Sequence, residues 1–139
     1  MNLSSVYTIN LPSFEDSRGV LSVVEATTDI PFGIERIFFI HHVISDRGGH
    51  AHIDTDQVII PISGSLKVKV FDGVNEDIYL LNDCRTGLFA PALTFCDLYD
   101  FSPGGVCLVL ASTKYNMKKS LRSKAEYLQY LKQSKKNGG

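Results

Sequence analysis

The sequence predicts an all-β protein, an antiparallel β-barrel or sandwich carrying one C-terminal α-helix. Short apolar segments of strand length follow one another through the first three quarters of the chain. Clusters of Gly, Asp, Asn, Ser and Pro separate them and supply the turns. A helical period of apolar residues emerges only near the end. Many short strands at close spacing, with almost no helix between them, pack as a sandwich or barrel.

Taken in order, "SVYTINL" (5–11) alternates weakly, and "GVLSVVEA" (19–26) follows the turn-like "FEDSRG" (14–19). "GIERIFFIHHV" (33–43) is a longer apolar segment, ended by the turn formers "SDRGG" (45–49). "DQVIIPIS" (56–63) contains Pro61, which donates no ladder hydrogen bond and so marks an edge or a bulge. "SLKVKVF" (65–71) is the clearest strand: Leu66, Val68 and Val70 alternate with Ser65, Lys67 and Lys69, the period of a half-buried antiparallel strand. "DIYLLN" (77–82), "TGLFAPA" (86–92), "CDLYDFS" (96–102) and "GVCLVLAS" (105–112) complete the series. The barrel therefore spans about residues 6–112. In the tail, Leu121, Ala125 and Leu128 fall at i, i+4 and i+7, with Tyr127 and Leu131 beside them and basic residues elsewhere. That spacing predicts an amphipathic helix over about 115–133 that packs on the barrel, with "SKKNGG" (134–139) frayed. There is no internal repeat and no linker, so residues 1–139 read as one domain.

Composition narrows the function classes. With 139 residues, 44 % of them apolar, the chain is long enough to bury a core and is not a disordered polymer. The formal net charge of −1, with basic residues clustered only at the C-terminus, gives no electrostatic basis for binding nucleic acid or an anionic membrane. No secretory pattern opens the chain, and no apolar run reaches the ~20 residues of a membrane span. Cys84, Cys96 and Cys107 lack metal-type spacing and read as reduced thiols of a cytoplasmic protein, with Cys107 as a small core residue.

"RGGHAHIDTDQVIIPISGS" (47–65) holds the chemistry. His50 and His52 are one residue apart, so on an extended segment their rings share a side. A transition-metal site needs three or four ligands. No histidine follows His52, Gln57 is a neutral, weak donor, and the adjacent His41 and His42 point to opposite faces of a strand. Metal binding fails on ligand count. Two readings stay open from the residues alone: a proton-carrying pair, since imidazole titrates nearest neutrality, or two exposed loop histidines. The preceding glycines let backbone pass close to a ligand.

The same stretch resembles the first motif of the cupins: His50 and His52, four residues, Gln57, six residues, Gly64, with Gln57 in place of the usual glutamate. "GLFAPALTFCDLYDF" (87–101) stands where the second motif belongs, without its histidine. Over nearly its whole length the chain is similar to the WxcM-like cupin ketoisomerases, which share the jelly roll of the RmlC-like epimerases and act on dTDP-4-oxo-6-deoxyglucose. The matching segments are "DSRGVLSVVE", "IPFGIERIFFI", "RGGHAH", "QVIIPISGSLKVKVFDG", "GLFAPA", "YDFSPGGVCLVLAS" and the helix containing "YLQYLK".

The resemblance implies a metal-free and cofactor-free 3,4-ketoisomerase serving deoxyamino-sugar and surface-polysaccharide synthesis. It implies His50 as the base at carbon, His52 at the sugar oxygens, and substrate contacts from Arg18, Arg47, Gln57, Phe39 and Tyr99. The partner is a dTDP-linked sugar. Open edge strands imply a homodimer, with exchanged N-terminal strands. Two departures stand out. Family members carry a tyrosine where this chain has Phe38 and Phe39, so Tyr99 or His41 would have to supply the missing polar group. Phe95 and Tyr99 occupy a stretch where histidines are frequent. A non-catalytic cupin that binds a sugar nucleotide, or a dTDP-sugar 3,5-epimerase using a His–Asp base, are the alternatives.

Overall fold

A computed structural model describes residues 3–137. The strands are β1 (Tyr7–Asn10), β2 (Ser13–Asp16), β3 (Gly19–Ser22), β4 (Arg36–Ile40), β5 (Arg47–His52), β6 (Gln57–Ser63), β7 (Leu66–Phe71), β8 (Glu76–Leu81), β9 (Thr86–Ala90), β10 (Phe95–Tyr99), β11 (Val106–Ala111) and β12 (Ser120–Leu121), followed by helix α1 (Lys124–Asn137). Two five-stranded antiparallel sheets form, in the orders β1-β9-β6-β11-β4 and β12-β5-β10-β7-β8. From β4 to β7 and again from β8 to β11 the chain alternates between the two, the winding of a jelly roll. The ladders do not run continuously around the molecule, so the expected β fold is a sandwich of two sheets rather than a closed barrel. Hairpin β2–β3 stands apart as a two-stranded ribbon.

The alternation in β7 does what its pattern predicts: Leu66, Val68 and Val70 are buried, and the lysines between them reach outward. They meet Ile59, Leu88, Cys107 and Val109 of the other sheet in the central core. Strand β6 shows no alternation because it is buried on both faces. Ile59 enters the central core, while Val58 and Ile60 pack outward under Leu11, Ile30 and Phe32 from the N-terminal segment.

Pro61 is tolerated in this central strand for two reasons. The β9 ladder ends at Ile59–Leu88, so on that side Pro61 has no partner to satisfy. On the other side the register with β11 shifts between Cys107 and Val106, a bulge beside the proline.

Two elements differ from expectation. Strand β5 begins at Arg47, inside the stretch "SDRGG" read as a turn, because β10 pairs with it there. The helix begins at Lys124 rather than near 115, because Ser120 and Leu121 join the edge of β5 as β12. Ser123 then starts the helix. Its Oγ accepts from the Glu126 N–H at 3.1 Å as the N-cap, and the Glu126 carboxylate reaches back to accept from the N–H of Arg122, just before the cap, at 2.8 Å. The helix runs through Asn137, so residues 134–137 of the stretch expected to fray are helical; residues 138–139 lie outside the described part.

The buried face of the helix also differs: Tyr127 and Leu131 face inward, whereas Leu128 is 42 % exposed and Ala125 is exposed. Leu121 reaches the same cluster from its strand. Tyr127 is the anchor. Its ring packs against Phe95 and Phe71 at centroid distances of 5.2 and 5.9 Å. Its hydroxyl donates its one proton between two carbonyls, that of Leu93 at 2.8 Å and the more distant one of Phe71 at 3.2 Å. Among the described residues no helix is long and apolar enough to cross a membrane. In urea unfolding, Tyr127→Phe should cost about 1 kcal/mol through the lost hydrogen bond. Tyr127→Ala should cost about 3–5 kcal/mol through the cavity it leaves.

Candidate active site

At one end of the sandwich the two sheets enclose a cavity of about 580 Å³. Strand β5 contributes Arg47, His50 and His52, and Gln57 and Ile59 enter from β6. From β4 come Arg36, Phe38 and Ile40, with Phe39 and His41 also on the lining. The segment between β11 and α1 adds Tyr115, Ser120 and Arg122. Ser120 is brought there by its pairing with His52 across the β12–β5 ladder.

The wall is cationic. Among the described residues, none of Arg36, Arg47 and Arg122 belongs to an ion pair. Arg36 lies 5.4 Å from the ring centroids of both Phe38 and Tyr115. Its Nε is buried and has no hydrogen-bond partner. A buried donor left unsatisfied is costly, so it marks a place prepared for an acceptor. Arg122 Nη2 donates to the Tyr115 hydroxyl at 2.9 Å. Unpaired, forked guanidiniums of this kind suit the oxygens of a phosphate.

Both histidines are held neutral. Burial pushes the His50 pKa down, and the charges of Arg122 and Arg47 push the same way; Asp97 opposes them. For His52, burial again dominates, Arg36, His50 and Arg122 add to it, and Asp54 opposes. A neutral imidazole accepts a proton, so each ring is prepared to act as a base. Among the described residues, no three His, Cys, Asp or Glu side chains come together as a metal site.

The residues expected from sequence divide. Arg47, His50, His52, Gln57 and Phe39 line the cavity. Two do not. Tyr99 projects from β10 on the face opposite to the cavity-lining Cys96 and Leu98, with its ring 5.7 Å from Lys69 Nζ. It therefore does not replace the missing tyrosine hydroxyl. Arg18 caps the β2–β3 hairpin, 88 % exposed and paired with Asp16 at 2.6 Å, and lies outside the cavity of its own chain. Neither does His41 stand free: its Nδ1 is 2.6 Å from that of His42.

Arg36, Tyr115 and Arg122 escaped the sequence reading. For Arg36 a signal existed, since it is in phase with the inward-facing Phe38 and Ile40 of β4. Tyr115 and Arg122 fell in or beside a segment read as helix, which hid them.

Fold and site together define a small jelly-roll protein with a paired-histidine, arginine-rimmed cavity between its sheets. The chain belongs to the WxcM-like family (FdtA; WxcM-like, C-terminal), whose model matches residues 4–132. It is 32 % identical over 125 residues to a TDP-4-oxo-6-deoxy-α-D-glucose-3,4-oxoisomerase of Aneurinibacillus thermoaerophilus, covering 88 % of this chain and 90 % of the relative. Among solved structures it resembles the sugar 3,4-ketoisomerase QdtA of Thermoanaerobacterium thermosaccharolyticum in complex with TDP. The TM-score is 0.90 and the identity 34 %, over 95 % of this chain and 98 % of the other. It also resembles the TDP-quinovose 3,4-ketoisomerase WlaRB of Campylobacter jejuni, with a TM-score of 0.85 and 33 % identity over 89 % and 97 % of the two chains.

The depressed histidines give a direct expectation. Followed by NMR through their ring Cε1–H signals, His50 and His52 should both titrate below the ordinary histidine value of about 6.5. A midpoint at or above that value would contradict the desolvated, arginine-flanked environment.

Proposed function

We propose that this protein is a TDP-sugar 3,4-ketoisomerase that moves the keto group of TDP-4-oxo-6-deoxyglucose from C4 to C3. The observation that carries the reading is one cavity lined by two neutral histidines and three arginines that, among the described residues, form no ion pair. The activities of the relatives support it. The diphosphate engages the arginines, which orients the sugar toward the histidines.

The C4 ketone acidifies the C3 proton, and His50 takes that proton as general base. The electron pair left at C3 forms the C3=C4 bond of an enediolate, and negative charge collects on O4. That charge is stabilised by hydrogen-bond donors, with His52 serving the oxygens. Return of a proton to C4, with transfer of the O3 proton to O4, leaves a C3 ketone and a C4 hydroxyl. No electron leaves the sugar, so the balance closes without a redox cofactor. The 3-oxo product is the form an amination at C3 consumes, in keeping with a role in deoxyamino-sugar and surface-polysaccharide synthesis. Three free cysteines, with Cys84 exposed, fit a reducing cytoplasm.

Removing the base should be severe. His50→Asn and His52→Asn are each expected to lower turnover about 10²- to 10⁴-fold while TDP still binds. In deuterium oxide the unaltered protein should place solvent deuterium in the isomerised sugar. Binding of TDP without exchange and without 3-oxo product would establish instead a binder of sugar nucleotides.

The working form is a homodimer with exchanged N-terminal elements. The free edge strand β4 exposes Ile37 (57 %) and Phe39 (61 %), and the isolated hairpin exposes Phe14, Val20 and Leu21. Pairing these surfaces between two copies removes an open edge and buries both apolar patches. In that arrangement Arg18, kept away from its own cavity, serves the partner's sugar nucleotide. Light scattering should give the mass of a dimer, and Ile37→Lys together with Leu21→Lys should give a monomer. A monomeric unaltered protein at micromolar concentration would overturn this.

A further inference from the structure

A regular strand cannot place Arg47, His50 and His52 on one wall. With a side-chain period of two, His50 and His52 share a face and Arg47 faces away. All three nevertheless line the cavity. The cause is in the β5–β10 ladder, where Cys96 opposes His50 but Leu98 opposes Arg47. Two residues of β5, Gly48 and Gly49, thus stand against one residue of β10, Asp97. That is a β-bulge, and the extra residue turns Arg47 onto the histidine face. Gly49 has φ +74°, the left-handed conformation that favours glycine at such a position.

Asp97 is built into this bulge. Its Oδ1 accepts from the Gly49 N–H at 2.8 Å, the donor that the interrupted ladder would leave unpaired. A Cβ on Gly48 would strike the same carboxylate oxygen and approach the Asp97 Cα to 3.1 Å. The two glycines and the aspartate therefore fit as one unit. We propose that Asp97 is a positioning residue for the reaction: it clamps the Gly48–Gly49 bulge from the back of the sheet and so sets Arg47, His50 and His52 on one wall. The proposal rests on the functional reading above for its kinetic consequences, not for its structural ones.

The charge of Asp97 adds a signature that mere packing lacks. Arg47 on the same strand, Arg122 from the C-terminal segment and Asp97 from β10 all act on His50. His52 is its neighbour along β5, and the opposing Cys96 is uncharged, its thiol pushed up to about 12 by burial. Asp97 alone favours the protonated imidazole, so removing its charge should move the His50 titration to lower pH.

Asp97→Asn keeps an acceptor for Gly49 and loses the charge, whereas Asp97→Ala loses both. For Asp97→Asn, the His50 titration and the acid limb of kcat/KM should move down together, with kcat at neutral pH within about threefold of the parent because the geometry is kept. For Asp97→Ala, kcat should fall about 10- to 100-fold and TDP binding by calorimetry should weaken, since base and phosphate ligand are both displaced. Gly48→Ala should reproduce those losses from the other side of the contact, and it serves if Asp97→Ala does not fold. An unmoved His50 titration in Asp97→Asn overturns the proposal, whether or not the unaltered protein isomerises the sugar. So does a folded Asp97→Ala that loses stability only, with parental TDP affinity. Absence of isomerase activity in the unaltered protein overturns the functional reading instead, and the titration still decides the role of Asp97.

Discussion

The packing of Ile59, Val68, Val70, Leu88 and Val109 between the two sheets is what the cavity depends on. These residues are almost wholly inaccessible, and their burial supplies most of the driving force that holds the sheets face to face. Since that apolar half completes the core, the other end of the sandwich is free to carry polar groups that would weaken a core. Ile59 and Val109 belong to both, contributing to the core and to the cavity lining. The floor of the site is thus part of the packed core, and its rim is formed where β4 and the C-terminal segment meet.

Placing imidazoles and guanidiniums around one partly buried cavity has an electrostatic consequence. Burial alone disfavours the charged imidazole, and the unpaired arginines disfavour it further. The same arginines whose charge suits an anion therefore disfavour protonation of the imidazoles. An anion bound among them would offset part of their field, so anion binding and imidazole basicity are coupled. The sign also governs stability. Because the folded-state values of both histidines lie below their unfolded value, their contribution to stability is present above that value. It is lost as the pH falls below it, when protonation favours the unfolded chain.

The C-terminal segment links stability to the site. Tyr127 docks the helix on Phe71 and Phe95, and the capping interactions at Ser123 and Glu126 set where the helix starts. The helix start in turn fixes β12 against β5, which presents Ser120 and Arg122 to the histidines. The helix acts at a distance, as the brace of one wall.

Much of this was legible in the residues. The period-two run of β7, the turn clusters and the spacing of His50 and His52 depend on local stereochemistry, which a sequence records directly. The failures have a common origin. Helical spacing from Leu121 to Leu128 is a true pattern, but pairing with β5 drew Leu121 into a strand, a long-range hydrogen-bonding choice that periodicity does not encode. Tyr99 faces away from the cavity because it alternates with Cys96 and Leu98 on β10, and the pairing of β10 decides which of the two faces is the inner one. Arg18 stands on a hairpin outside the cavity of its own chain, which only the position of that hairpin in space reveals. Above all, which arginines share a wall with the histidines was decided in three dimensions. Arg36 arrives on a strand of the opposite sheet, and Arg122 arrives after β12. Arg47 turns inward only because the bulge opposite Asp97 shifts the side-chain alternation by one residue. Most strands and the pair of imidazoles follow from neighbours along the chain, which is why the residues alone reveal them. The cationic company they keep comes from strand pairing and register, which bring together residues that are far apart in sequence.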